Sequence, residues 1–270
     1  MRRDETADRF GVGFTMAFQP IVDTGAGGLV FAYEALVRGQ NGEGADTVFA
    51  QVSKGDAISF DAACRSRAIS MAAELGLPCR LSLNVSATAI CDRRHGLAAT
   101  LRSARQIGFP LDSLVFEMTE HDPVSDHGKL SRWIAAARNR NVMVVIDDFG
   151  AGYAGLSNLL LLRPDIVKLD AMLVRDIDTD RSRQVLVKGI VEACRSFACM
   201  VVAEGVETDG EFSMLSLLGI TLMQGFLFAR PALASFPTVS WPVIITPHIA
   251  TAVCGGETRK RRTNDGTRQN

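Results

Sequence analysis

Eight short apolar runs recur along this chain, and most neighbouring pairs are separated by a segment with the period of an amphipathic helix. The runs at 80–86, 114–119, 142–147, 166–169, 200–204 and 222–228 are mostly apolar rather than strictly alternating. Strands covered on both faces read in this way. Between them, Phe60, Cys64, Ala68, Met71 and Leu75 mark one helical face, and Leu130, Trp133, Ile134 and Ala137 a second. Leu186, Ile190, Ala193 and Phe197 mark a third, each at about 3.6-residue spacing. Strands joined by helical crossovers run parallel, and eight of them predict an α/β fold closed as a (β/α)8 TIM-like barrel. The first two runs, 14–22 and 29–37, are joined only by Asp23-Thr24-Gly25-Ala26-Gly27-Gly28. That short Gly-rich link predicts a hairpin, so the barrel carries one antiparallel strand. An open doubly wound sheet is the alternative architecture.

Composition supports a folded core. The chain has 270 residues, 47% of them hydrophobic, enough for one large α/β domain or two small ones. With 29 basic and 30 acidic residues there is no overall basic excess to recruit nucleic acid. No apolar run approaches the roughly 20 residues that span a bilayer. The start, Met1-Arg2-Arg3-Asp4-Glu5, leads into no apolar segment, so the expectation is a cytoplasmic protein without nucleic-acid or membrane partners. Cys64, Cys79, Cys91, Cys194, Cys199 and Cys254 form no C-x-x-C pair and read as reduced thiols. Residues 1–13 read as an N-terminal extension, 14–235 as the domain, and 236–270 as a C-terminal extension. From Gly255 onward this extension is polar, without periodicity, and expected to be disordered.

What interrupts the strands is more informative than what fills them. Glu34, Asn84, Glu117, Asp147 with Asp148, Lys168, Glu204 and Gln224 each fall in or at the end of an apolar run. Isolated buried charge is costly, so such groups must meet partners or ions. Any one of them alone has a structural explanation, such as a Lys168–Glu117 pair or an outward-facing Glu34. Seven consecutive strands so marked point instead to one barrel mouth, where catalytic groups collect. Five carboxylates against one ammonium leave a net charge of −4 when all are ionised. Either several protonate or cations enter. Two divalent ions would balance the charge, and oxygen-only ligands favour Mg²⁺ or Mn²⁺ over zinc. Two such ions are the usual clamp for phosphoester displacement.

Two other motifs point elsewhere. Gly150-Ala151-Gly152-Tyr153-Ala154-Gly155 matches a dinucleotide-binding fingerprint, with Asp170 at the ribose-binding offset. Asp147 and Asp148 directly before it would repel a pyrophosphate, and Pro164 limits the following helix to about two turns. His121-Asp122 suggests a metal-dependent HD phosphohydrolase, but Pro123 follows at once, and a loop is the better reading.

The ordered motifs resemble those of the EAL-domain phosphodiesterases that hydrolyse cyclic di-GMP. Glu34-Ala35-Leu36, Asn84-Val85-Ser86 and Glu117-Met118-Thr119-Glu120 come first. Asp147-Asp148-Phe149-Gly150, Lys168-Leu169-Asp170, Glu204-Gly205-Val206-Glu207 and Gln224-Gly225-Phe226 complete the series over about residues 14–232. The resemblance implies a barrel with one antiparallel strand and a homodimer with two Mg²⁺ or Mn²⁺ ions per active site. It assigns metal ligation to Glu34, Asn84, Glu117, Asp147 and Asp148, with Asp147 bridging. It gives catalytic roles to Glu34, Lys168 and Glu204, the last two orienting the attacking water and Glu204 serving as base. Gln19, Arg38 and Gln224 become substrate contacts, and Glu120 a brace for the loop after Asp148. The expected product is linear pGpG. The sequence departs from the family pattern in its 150–155 loop, in Phe226 where Tyr is frequent, and in a short Gly-rich stretch at 39–61. That compactness resembles the EAL domains of some light-regulated phosphodiesterases. A non-catalytic module binding cyclic di-GMP or a protein, and a proton-abstracting barrel lyase, are the competing functions.

Overall fold

The chain builds an eight-stranded closed barrel, described by a computed structural model over residues 10–25, 27–90, 92, 94–119, 127–152 and 155–242. Its strands are β1 (Phe14–Asp23), β2 (Leu29–Gly39), β3 (Arg80–Asn84) and β4 (Leu114–Thr119). They continue as β5 (Met143–Phe149), β6 (Ile166–Leu169), β7 (Met200–Ala203) and β8 (Leu222–Met223). From β2 to β8 each strand pairs in parallel with the next. The hairpin strand β1 runs antiparallel to both β2 and β8 and so closes the ring. A short β9 (Ala232–Leu233) adds to β1 at Ala17 and Phe18. Both expectations, the closed barrel and its single reversed strand, are met.

The helices are α1 (Ala45–Phe49), α2 (Ala57–Glu74), α3 (Ala87–Ile90), α4 (Leu97–Gln106) and α5 (His127–Arg138). They are followed by α6 (Gly155–Leu162), α7 (Ala171–Val174), α8 (Arg181–Ser196) and α9 (Asp209–Leu217). Local chemistry sets their starts. Thr208 and Glu211 form a reciprocal capping box on α9, and the Asp180 carboxylate caps α8 through the Ser182 and Arg183 amides. The α5 stripe Leu130, Trp133, Ile134 and Ala137 is buried as expected. The α8 stripe is rotated: Val187, Ile190, Val191 and Cys194 face inward, whereas Leu186 and Phe197 are exposed. Leu186 and Val187 are adjacent and both apolar, so spacing alone leaves the buried stripe ambiguous by one position. No described helix is long and apolar enough to cross a membrane.

Two apolar layers hold the fold. Phe60, Ala68, Leu130, Ile134, Val187 and Val191 belong to the outer one, between sheet and helices. The inner layer comprises Ile21, Ala32, Val115, Val145, Ile166, Val202 and Leu222, one residue from each of seven strands, which meet across the barrel. Segment 236–242, which has no period to read, lies against the outside of the hairpin. The Phe236 ring packs on Phe18 and Tyr33, with centroids 4.9 and 4.5 Å away, and the Tyr33 hydroxyl donates to the Pro237 carbonyl. Cys64, Cys194 and Cys199 are buried and Cys79 half-buried, all as free thiols, while Cys91 and Cys254 lie outside the described residues.

The last strand is shorter than its apolar run. Pairing stops at Met223, because the stretch after β8 turns onto the loop after β7. The Val206 amide donates to the Gln224 carbonyl, and the Leu227 amide to that of Val206. Gly225 allows this approach, since a Cβ there would run into the Val206 backbone.

Candidate active site

The site follows from the period of two along each strand. Glu34, Glu117, Asp147, Lys168, Glu204 and Gln224 each stand two residues past an inner-layer residue, Ala32, Val115, Val145, Ile166, Val202 and Leu222 respectively. They therefore face the same interior, one layer nearer the C-terminal mouth. On the reversed strand the direction inverts, and Gln19 stands two residues before Ile21, in register with Glu34. The eighth strand, β3, contributes Ser82 to this layer and Asn84 at its rim.

Lys168 is the centre of the cluster. Its ammonium is 1% exposed and lies 2.6 Å from Glu204 Oε1, 2.9 Å from Glu117 Oε2, and 3.3 Å from both Glu34 Oε2 and Asp147 Oδ1. Glu34 also accepts from Asn84 Nδ2 and Gln224 Nε2, each at 2.9 Å. Gln224 Nε2 reaches Gln19 Oε1 as well, at 3.3 Å, and Gln19 Nε2 donates to the Ala229 carbonyl. Gln224 Oε1 is buried with no hydrogen-bond partner, an acceptor left open beside Glu34. Ser82, which the motif reading missed, donates to Glu117 Oε1. Its signal was available, because Ser82 interrupts an apolar strand two residues before Asn84.

Asp147 and Asp148 are neighbours, and simple alternation would send their side chains to opposite faces of the strand. The β5–β6 register breaks between Ile146 and Phe149, and Asp148 takes a left-handed φ of 55°. The Asp148 amide bonds to Asp147 Oδ1 at 3.0 Å. This bulge re-aims the second carboxylate, at a backbone cost of about 1–3 kcal/mol for a non-glycine residue. Two acidic triads result: Glu34, Glu117 and Asp147 offer oxygens within 4.8 Å of one another, as do Asp147, Asp148 and Glu204. Asp147 belongs to both.

The protonation states answer the charge imbalance. Burial disfavours the Lys168 charge, but Asp147, Glu117, Glu204 and Glu34 outweigh it and hold the ammonium well above its ordinary range. For Glu34 burial is likewise outweighed, by Lys168 and by the bonds from Asn84 and Gln224, so its carboxyl lies below its ordinary range. Glu117 goes the other way: burial, reinforced by Glu34 and Asp147 against Lys168, pushes it up to about 8. Burial also drives Glu204 well above the usual carboxylate range, with Asp147 and Glu34 adding to it and Lys168 opposing. Without added cations the cluster keeps protons at neutral pH. Oxygen-only donors that must protonate in the absence of positive charge suit hard divalent ions.

One expected residue stands apart from this cluster. Arg38 is four residues beyond Glu34 on β2, towards the mouth, and its Nη1 turns back to the Val37 carbonyl at 2.8 Å. Glu120 lies outside the described residues, as do His121 and Asp122. The Gly150–Gly155 stretch leads into α6, only 8 residues long.

A family model for the EAL domain matches residues 8–231. The chain belongs to the EAL domain family. Among curated relatives, the blue light- and temperature-regulated antirepressor BluF of Escherichia coli is 28% identical over 227 residues, covering 84% of this chain and 56% of BluF. Cyclic di-GMP phosphodiesterase PdeR of Escherichia coli is 33% identical over 156 residues, 58% of this chain and 23% of PdeR. The chain thus spans about half or less of these relatives. A standalone EAL protein of Vibrio cholerae in its c-di-GMP-bound form superposes with a TM-score of 0.80 at 40% identity, covering 85% of this chain and 96% of that one. Klebsiella pneumoniae BlrP1, in a manganese and cyclic di-GMP complex, gives 0.81 at 35% identity, covering 86% and 59%.

Proposed function

We propose that this EAL domain is a metal-dependent phosphodiesterase that opens cyclic di-GMP to linear pGpG. The observation that carries the reading is the pair of carboxylate triads meeting at Asp147 around one buried lysine. Glu34, Asn84, Glu117 and Asp147 would hold one Mg²⁺ or Mn²⁺, and Asp147 with Asp148 a second. Such a pair supplies a water acidic enough to ionise near neutral pH and neutralises charge on the phosphoryl oxygens. Glu204 accepts the proton of the attacking water, and the Lys168 ammonium, 2.6 Å away, fixes the orientation of that carboxylate. Glu34, tied to Asn84, Gln224 and Lys168, holds the opposite side of the cluster rigid. Gln224 Oε1 offers an open acceptor for water or substrate, and Gln19, in register with Glu34, and Arg38 are the other candidate substrate contacts. The test is incubation with cyclic di-GMP and either metal, followed by chromatography for pGpG.

Metal affinity should rise with pH. Ions entering the triads must displace the protons on Glu117 and Glu204, so tighter binding is expected at pH 9 than at pH 6. The metal-free fold should respond oppositely. Glu117 binds its proton more tightly folded, near 8, than at its ordinary 4.5. This stabilisation is fully present below the lower value and is lost as pH rises through the higher one. Melting curves in chelator and metal titrations at pH 6 and 9 check both signs. Equal metal affinity at the two pH values would refute the proton displacement.

The homodimer is also part of this proposal. On α6, Leu156, Leu160 and Leu161 are 69%, 58% and 55% exposed, an apolar face suited to a second copy. Light scattering should give twice the single-chain mass, and Leu160→Glu should halve it. A monomeric wild type would refute the assembly.

A further inference from the structure

The outer wall of the barrel carries a cavity that shares no residue with the mouth. It has a volume of about 560 Å³ and lies between α2 and the turn that leads into α4. Ser59, Ser66 and Ser70 line it with Arg67 from α2. Their spacing puts the three hydroxyls and the guanidinium on one helical stripe. Arg94 and His95 close the other side, and none of the described lining residues is acidic. Apolar surface is present too, from Phe10, Ala62 and Ala99.

This wall is held in place by groups other than the Arg67 and Arg94 guanidinium groups. Arg65, on the same helix, is buried; it pairs with Asp61 and donates to Thr100 Oγ1 at 3.0 Å and to the His95 carbonyl at 2.6 Å. The helix is thereby stapled to the turn. Asp92 Oδ1 accepts from the Arg94 amide at 2.8 Å, the His95 amide at 2.7 Å and His95 Nδ1 at 3.1 Å. Gly96 completes the turn, where a Cβ would meet the carbonyls of Ala89, Ile90 and Asp92. Asp61 and Asp92 are therefore engaged in building the wall. Neither the Arg67 nor the Arg94 guanidinium makes an ion pair among the described residues, and Arg67 Nε is buried with no hydrogen-bond partner. A buried donor left open is costly, and a guanidinium is the side chain best matched to phosphate oxygens.

We infer that this cavity binds a phosphomonoester carrying an organic group, the phosphoryl oxygens on Arg67, Arg94 and the Ser66 and Ser70 hydroxyls and the organic part against Phe10 and the alanines; the Ser59 hydroxyl already donates to the Asp56 carbonyl. The volume exceeds the needs of a bare phosphate and falls in the range of small-molecule sites. The inference is independent of the proposed catalysis. Calorimetric titration of the full chain with 5′-GMP, in chelator, tests it. Without cations the acidic mouth repels a phosphate, which leaves the wall cavity as the competent site. Saturable binding is expected, weakened at least about tenfold by Arg67→Gln and by Arg94→Gln and unchanged by Asp148→Asn at the mouth. Inorganic phosphate should bind more weakly than 5′-GMP through the same arginines. Melting curves matched to wild type qualify each variant, and the exposed Arg94 supplies a test that spares the core. No saturable binding, binding indifferent to both arginines, or equal affinity for phosphate and 5′-GMP would overturn the inference.

Discussion

Lys168→Met is expected to cut turnover of cyclic di-GMP by about 10²–10⁴, the range for loss of proton-transfer assistance, and to destabilise the metal-free fold. Among the described residues, Lys168 is the one cation that touches Glu34, Glu117, Asp147 and Glu204 together. Removing one partner of a buried ion pair typically costs about 3–5 kcal/mol, because the remaining charge is left uncompensated. Protonation relieves part of that cost, so the drop in melting temperature should be larger at pH 9 than at pH 6. Added Mg²⁺ or Mn²⁺ should recover stability by replacing positive charge, without recovering turnover, since the orientation of Glu204 is still lost. Recovery of both would reduce Lys168 to a structural counter-ion.

Asp147→Asn is expected to cost about a thousandfold or more in turnover, because charge stabilisation by bound cations is worth several kcal/mol and Asp147 serves both acidic triads. Asp148 serves only one. Asp148→Asn should therefore be partly rescued by high metal concentration, whereas Asp147→Asn should not. Initial rates titrated with Mg²⁺ for the two variants make the comparison. Identical rescue would mean that Asp147 does not bridge.

The sequence exposed most of this site because its logic is periodic. Charged residues two steps beyond apolar ones, repeated on strand after strand, force one polar layer above one apolar layer, as with Val115 and Glu117 or Ile166 and Lys168. Non-periodic features were harder to read. The inward turn of Asp148 depends on a left-handed residue and a register break, which no spacing encodes. Ser82 was overlooked because a hydroxyl in a strand costs little and so attracts little notice. The buried stripe of α8 was misplaced because Leu186 and Val187 are equally apolar. The packing of Phe236 on Tyr33 and Phe18 is a tertiary contact across some 200 residues, beyond any local pattern.

The central claim is tested most directly by incubating the chain with cyclic di-GMP, with Mg²⁺ or Mn²⁺ and with excess chelator in parallel, and resolving the nucleotides by chromatography. Linear pGpG should accumulate with either metal and cease in chelator. Intact cyclic di-GMP under every condition, or undiminished pGpG in chelator, would contradict the two-triad, metal-dependent reading.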